Sequence, residues 1–373
     1  MNRTEQQFFA LLRSGLWDSP LEESLFTDDT DWLTILKIAT KQTVSGIIFD
    51  GISKLSENSQ PPTAIMRRLY QTVIRIEQSH ELLNERLTRI IPLLQSESIY
   101  PILLKGQGVA KNYQNPMRRQ CGDIDLYIGK KDFQRSCELA NEWGIVADEA
   151  IERYRHYHFN WDGVTIEFHR IVEELPNPFR NKKFQHWVEY HFQKDKLKIW
   201  DLHTTAILLP PVNFNALYVF NHAFLHFITE GIGFRQLCDW VRYLHKFHDQ
   251  IDRSELMKDL KDFGLLRAWQ IFGCIAVRDL GLAKEKFPFY TNEFRKKSQN
   301  IILKDILLLG NFGHYDPKWT TRPASYLSGK LHNFKMRSQR TLNLFPIVRG
   351  YMGIYYLHFL VSGIRQIVKD KFK

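Results

Sequence analysis

Apolar and polar residues alternate along residues 122–128, so Ile124, Leu126 and Ile128 point one way and Asp123 and Asp125 the other, as on a β-strand. The alternation returns over residues 163–169, where Val164, Ile166 and Phe168 oppose Thr165, Glu167 and His169. Residues 99–104 read as a buried strand that ends in the glycine-punctuated turn Lys105, Gly106, Gln107, Gly108, with a short helix expected over 109–113. Elsewhere the period is helical. Helices are expected over 5–17 and over 31–50, the second opening at the cluster Asp28, Asp29, Thr30, Asp31. Leu82, Leu83, Leu87, Ile90, Ile91 and Leu94 recur at helical spacing, and Asp132 to Trp143 forms another helix with Gly144 as its stop. Beyond Trp200 the pattern turns helical again, over 216–228 and 234–247, with Gly231 and Gly233 at the turn between. The order strand, helix, strand, helix, strand predicts an α/β sheet core rather than a bundle.

Two carboxylates side by side on one strand face raise one another's pKa unless a cation sits between them, and Mg²⁺ is the usual cation for hard oxygen ligands. Gly122 leaves the approach to Asp123 uncluttered. The Lys105 to Gly108 turn exposes backbone N–H groups and a positive charge, which suits a triphosphate. Lys105 is thus either a phosphate ligand or a lysine capping a strand end, and Arg119 has the same two readings. Glu167 supplies a third acid on a later strand's polar face, and His169 beside it contacts substrate or serves as an inner hydrogen-bonding histidine.

These residues resemble the polymerase-β-like nucleotidyltransferases, and within them a group of uncharacterised bacterial nucleotidyltransferases. The resemblance rests on Leu103 to Gly106, Tyr113, Pro116, Arg119, Gly122 to Leu126 and Ile166 to His169, and continues weakly into His222, His226 and residues 233–239. It implies an α+β fold: a small mixed sheet forming a catalytic core at residues 99–200, between an N-terminal helical region (1–98) and a C-terminal one (201–373). It also implies that Asp123, Asp125 and Glu167 hold two divalent metals, Mg²⁺ or Mn²⁺, and that Lys105, Gly106, Gln107, Gly108, Arg119 and Gly122 bind the nucleotide. An NMP would pass from an NTP such as ATP to an acceptor hydroxyl on RNA, protein or a small molecule, releasing pyrophosphate. Lys105, Gly106, Gln107 and Gly108 replace the Gly-Gly or Gly-Ser usual in the wider superfamily, which changes the phosphate grip and not the metal site. A metal-dependent nuclease or phosphohydrolase could use the same acids without needing the Lys-Gly turn. A catalytically silent NTP-binding protein commonly lacks one of the three.

Composition adds the compartment. Cys121, Cys137, Cys238 and Cys274 lie far apart without zinc-finger spacing, and the polar N-terminus lacks the apolar core of a signal peptide, so a cytoplasmic enzyme with reduced thiols is expected. The net charge of +10 is unevenly spread: residues 322–373 carry ten lysines and arginines against the single acid Asp370, leaving +1 for the rest. Interleaved with aromatics, that segment is expected either to attract a polyanion such as RNA or an anionic membrane surface, or to be a solvated helical face. Residues 345–368 are apolar but interrupted by Pro346, Arg349, His358 and Arg365, so a packed or surface-lying helix is expected and not a spanning one. His222 with His226, and Arg235 with Asp239, stand four apart on helices. The first pair reads as structural or substrate-contacting, the second as an orienting ion pair.

Overall fold

In the computed structural model, which describes residues 1–143, 155–294, 296–315 and 326–371, the alternating segments do become strands. The strands are β1 (Ile102–Leu103), β2 (Asp123–Tyr127), β3 (His156–Trp161), β4 (Val164–His169), β5 (Lys198–Leu202) and β6 (Thr205–Leu209). They form one mixed sheet in the order β3-β4-β2-β1-β6-β5, and with helices flanking it the fold is α+β. β2 and β4 run parallel with Asp125 opposite Glu167, while β3 is antiparallel to β4 with His158 opposite Glu167.

The sheet has two unlike faces because its strands alternate. Ile124, Leu126, Ile166 and Phe168 are fully buried against Leu83, Leu87, Ile90 and Leu94 of the long helix α4 (Thr63–Ser96). Each such side chain contributes about 1.5–3 kcal/mol of burial. The opposite face, with the acids, looks toward a separate helical core. That core begins with α1 (Arg3–Trp17), whose Asn2 and Glu5 make a reciprocal N-terminal cap. Gly51 crosses so close to the Leu11 carbonyl of α1 that a Cβ there would collide with backbone.

Several expectations change. The helix expected over 31–50 is two, α2 (Trp32–Lys41) and α3 (Ser45–Ile52). Asp31 does cap the first, accepting from the Thr34 N–H. The break falls at Thr43, with φ of 54°, because the buried Gln42 turns inward, donating to the Ile306 carbonyl and accepting from the Phe234 N–H. The helix after the Lys-Gly turn is α5 (Gln107–Ala110), earlier and shorter than expected, because Gly106 at φ 59° makes the sharp turn that starts it. α6 (Gly129–Glu142) follows β2, and its expected stop, Gly144, lies outside the described residues. Strand structure also persists past Trp200: Thr205, Ile207 and Leu209 are buried while Ala206 is exposed, so β6 pairs with β5 before the helices begin.

After β4 come α7 (Pro178–His191), α8 (Val212–Thr229), α9 (Phe234–Phe247), α10 (Arg253–Phe263), α11 (Leu266–Arg278) and α12 (Lys296–Leu309). Two more helices, α13 (Tyr326–Leu344) and α14 (Arg349–Lys371), pack on them. Among the described residues no helix is long and apolar enough to cross a membrane. The basic segment is partly turned inward: Arg340 pairs with Asp305 at 3.0 Å and donates to the Phe227 carbonyl, and Arg337 reaches the Tyr355 hydroxyl. Lys335 and Arg349 are exposed, whereas Arg322, Lys373 and the side chains of Lys330, Arg365, Lys369 and Lys371 fall outside the description.

One buried ion pair ties the sheet to the helical core. Arg119, just before β2, sends Nε and Nη2 to the two oxygens of Asp239 on α9, each at 2.7 Å, and the Tyr113 hydroxyl donates to the same carboxylate. Asp239 therefore does not pair with Arg235, which instead donates to the Gln120 carbonyl. Helical spacing puts those two residues on one face, but the arginine from the sheet side reaches Asp239 with both prongs. Asp239→Ala would leave the Arg119 charge buried without a partner and should cost about 3–5 kcal/mol in urea unfolding. A loss below about 1 kcal/mol would contradict this assignment.

Candidate active site

The acids meet because β2 and β4 are parallel neighbours. Asp125 is almost fully buried, 1% exposed, and its Oδ1 takes Lys105 Nζ at 3.1 Å and His169 Nε2 at 2.9 Å. Glu167 Oε1 faces His156 Nδ1 and, at 3.1 Å, His158 Nε2, both on β3. Asp123 stands at the mouth of the strand on the same face. The ligand atoms of Asp125, Glu167 and His169 lie within 4.8 Å of one another, as do those of His156, His158 and Glu167, and Asp123 belongs to neither compact set.

Charge explains this crowding. The charge of Asp125, and then burial, push the Asp123 carboxyl above the usual range. Burial pushes Asp125 up too, but Lys105 and the His169 hydrogen bond outweigh it and hold its carboxyl low. Glu167 behaves likewise: burial is outweighed by the hydrogen bonds of His156 and His158, with His169 and Lys105 adding to them, and the carboxyl lies well below its ordinary value. Burial lowers the Lys105 ammonium, but Asp125, Asp123 and Glu167 more than restore it, so it stays charged. An oxygen-rich set with a lysine as its resident cation, and one aspartate short of positive charge, fits a divalent metal.

Lys105 Nζ also lies 3.2 Å from His222 Nε2 on α8, and His222 Nδ1 lies 3.4 Å from Glu173 Oε1. Burial, then the Lys105 charge, drive His222 well below its usual range. The neutral ring accepts from Lys105 and turns its Nδ1–H toward Glu173. His226 stacks edge-on against His222 with centroids 4.5 Å apart and pairs with Glu230, so the two histidines lie side by side at the site, and among the described residues they join no group of three metal-ligating side chains.

Two cavities meet at Lys105, Asp123 and His222. The smaller, of about 170 Å³, is bordered by Gly106, Arg119, Gly122 and Arg235. The larger, of about 650 Å³, is bordered by Arg155, His158, Glu167, Glu173 and, from α14, Tyr355 and His358. Lys105, Gly106, Arg119, Gly122, Asp123 and Asp125 thus gather at the small cavity, and Glu167 and His169 at the large one. Gln107 is buried with both amide atoms free of hydrogen-bond partners, and Gly108 packs on Leu103 and Leu209. All three Arg119 nitrogens are engaged, Nη1 by Cys121 Sγ.

His156, His158 and Glu173 are site residues that sequence reasoning passed over, and Arg235 was read only as the ion-pair partner of Asp239. The alternation of His156, His158 and Asn160 with Tyr157, Phe159 and Trp161 is the signal that could have found the first two; nothing local points to Glu173.

The chain belongs to the family described as uncharacterised nucleotidyltransferase, whose family model matches residues 28–280, more than half of its length. Membership supports transfer of a nucleotidyl group as the activity. No curated protein and no solved structure matches the chain.

Two outcomes follow from these charges. Mn²⁺ should raise the unfolding midpoint of the metal-free protein, by the equivalent of about 2.7 kcal/mol at a hundredfold excess over Kd, and Asp125→Asn should abolish the rise; an equal rise in the variant would contradict the ligand assignment. Glu173 gives a pH effect. Burial lifts its carboxyl to about 8, against the opposing charge of Lys105 and the Asn221 hydrogen bond. Between the ordinary carboxylate range and about 8 the folded protein keeps a proton that the unfolded chain has released, so this stabilisation is full at low pH and is lost as pH rises through 8. The stability of wild type relative to Glu173→Gln should therefore fall from pH 5 to 8.5; a constant difference would disprove the assignment.

Proposed function

We propose that this protein transfers an NMP from an NTP to a hydroxyl of an acceptor held in the larger cavity, with pyrophosphate as the other product. The observation that carries the reading is the parallel register setting Asp125 beside Glu167, next to the strand-turn-helix of Lys105 and Gly106. Asp123, Asp125 and Glu167 would hold the divalent cation such transfer uses, Mg²⁺ or Mn²⁺, which supplies Lewis acidity at the α-phosphate and at the acceptor hydroxyl.

The chain's own residues divide the remaining work. Lys105 and the Gly106 turn neutralise and orient the triphosphate in the smaller cavity, with Gly122 leaving room for it, while Gly108 gives its N–H to the Lys105 carbonyl and holds the turn closed. Arg235, half-buried there with its Nε lacking a hydrogen-bond partner, is better disposed toward phosphate than Arg119, whose nitrogens are taken. Arg119 then acts by fixing the loop before β2. His169, His156 and His158 orient Asp125 and Glu167. The acceptor oxygen bonds to the α-phosphorus as the bond to the β-phosphate breaks. Exposed Lys335 and Arg349 offer cationic contacts to a polyanionic acceptor such as RNA, or to an anionic membrane carrying one, and such contacts weaken as salt rises.

The test is incubation with each α-labelled NTP and a lysate split into RNA, protein and small-molecule fractions; the labelled fraction identifies the acceptor class. Asp123→Asn and Asp125→Asn should each lower transfer by about 10³-fold while the circular dichroism spectrum stays native. Wild-type transfer by both variants would refute the metal assignment, and release of phosphate instead of pyrophosphate would favour a phosphohydrolase.

A further inference from the structure

A second cluster of metal-ligating groups lies away from the carboxylate strand, between α7 and α10. His191 ends α7 and is buried, 4% exposed, while Glu255 and Asp259 stand four apart on one face of α10. One nitrogen or oxygen from each lies within 4.8 Å of the other two. His191 Nε2 has no hydrogen-bond partner, and Glu255 Oε1 at 3.6 Å is beyond hydrogen-bonding distance. A neutral imidazole nitrogen left bare inside a protein is costly.

The surroundings orient the two carboxylates. Trp187 Nε1 donates to Asp259 Oδ2 at 2.8 Å, and Asn213 Nδ2 donates to Glu255 Oε2 at 2.6 Å. Each acid thus has one oxygen fixed by a neighbour, the arrangement by which outer partners aim metal ligands. Trp187, with its ring centroid 4.9 Å away, holds the imidazole edge-on.

We propose that His191 Nε2, Glu255 and Asp259 bind a divalent transition-metal ion of the zinc type, clipping α7 to α10. One imidazole with two carboxylates is a zinc donor set, whereas Ca²⁺ and Mg²⁺ favour oxygen ligands alone. Tetrahedral ligands at about 2.0–2.2 Å from an ion stand about 3.4 Å apart, close to the His191–Glu255 separation, so Asp259 closes the remaining gap. Glu255, with its side chain 36% exposed, opens the fourth position to water and gives the ion a way in.

The full-length protein, stripped with EDTA and dialysed against Zn²⁺, tests this by metal analysis. Wild type should hold one more Zn²⁺ per chain than either Glu255→Gln or Asp259→Asn, each checked for native circular dichroism. Co²⁺ in its place should give the visible bands of a tetrahedral site, absent in both variants. The difference should persist in an Asp125→Asn background, which separates this site from the catalytic acids and makes the result independent of any transfer activity. Retention of the full zinc count in either folded variant overturns the proposal. Glu255 is partly exposed, so its variant keeps the test decisive even where the change at buried Asp259 disturbs folding.

Discussion

Three carboxylates cannot share one face of adjacent strands inside a protein without positive charge and hydrogen bonds around them, and that constraint organises this molecule. Lys105 answers it at the end of β1, His169 on β4 itself, and His156 and His158 on β3. Lys105 in turn rests on neutral His222 from α8, so the charge balance of the strand acids sets where the helical core must sit. The same crowding makes the site useful: Asp123, its carboxyl pushed up by Asp125, remains short of positive charge.

The alternating strands give the sheet a dry side and a polar side. The dry side is closed by α4. The polar side cannot be closed by apolar packing, and two joined cavities remain between it and the helical core. Arg119, Asp239 and Tyr113 hold that interface together from within and fix the loop before β2 to α9. The family match spans the sheet and helices α2 to α11, yet Tyr355 and His358 of the larger cavity come from α14, beyond it. The wall of the larger cavity is thus built partly outside the part that defines the family.

Much of the candidate site was legible because strand alternation is a local property. Asp123 and Asp125 share a face whatever surrounds them, and Glu167 with His169 repeat the pattern. Helices α1 and α9 followed from periodicity alone. The single helix over 31–50 did not survive, since a buried Gln42 gains more from the Ile306 carbonyl and the Phe234 N–H than from a continuous helix. The Arg235–Asp239 pair failed for a related reason: four-residue spacing permits a contact, and a buried two-pronged arginine from another element outcompetes it. The basic C-terminal segment shows the limit of counting charges, because Arg340 spends its charge on Asp305 inside the fold.

The sequence by itself determined which residues face together along each element, and so the acids, the Lys-Gly turn and the family. Tertiary structure decided which strands are neighbours, that Lys105 serves Asp125 and His222, that Arg119 is spent on Asp239 while Arg235 borders the cavity, and that His156 and His158 reach Glu167. The reason is range. Periodicity is fixed by φ and ψ within a few residues, whereas partners such as Asp125 and His169, forty-four positions apart, are chosen by the burial and charge balance of the whole chain.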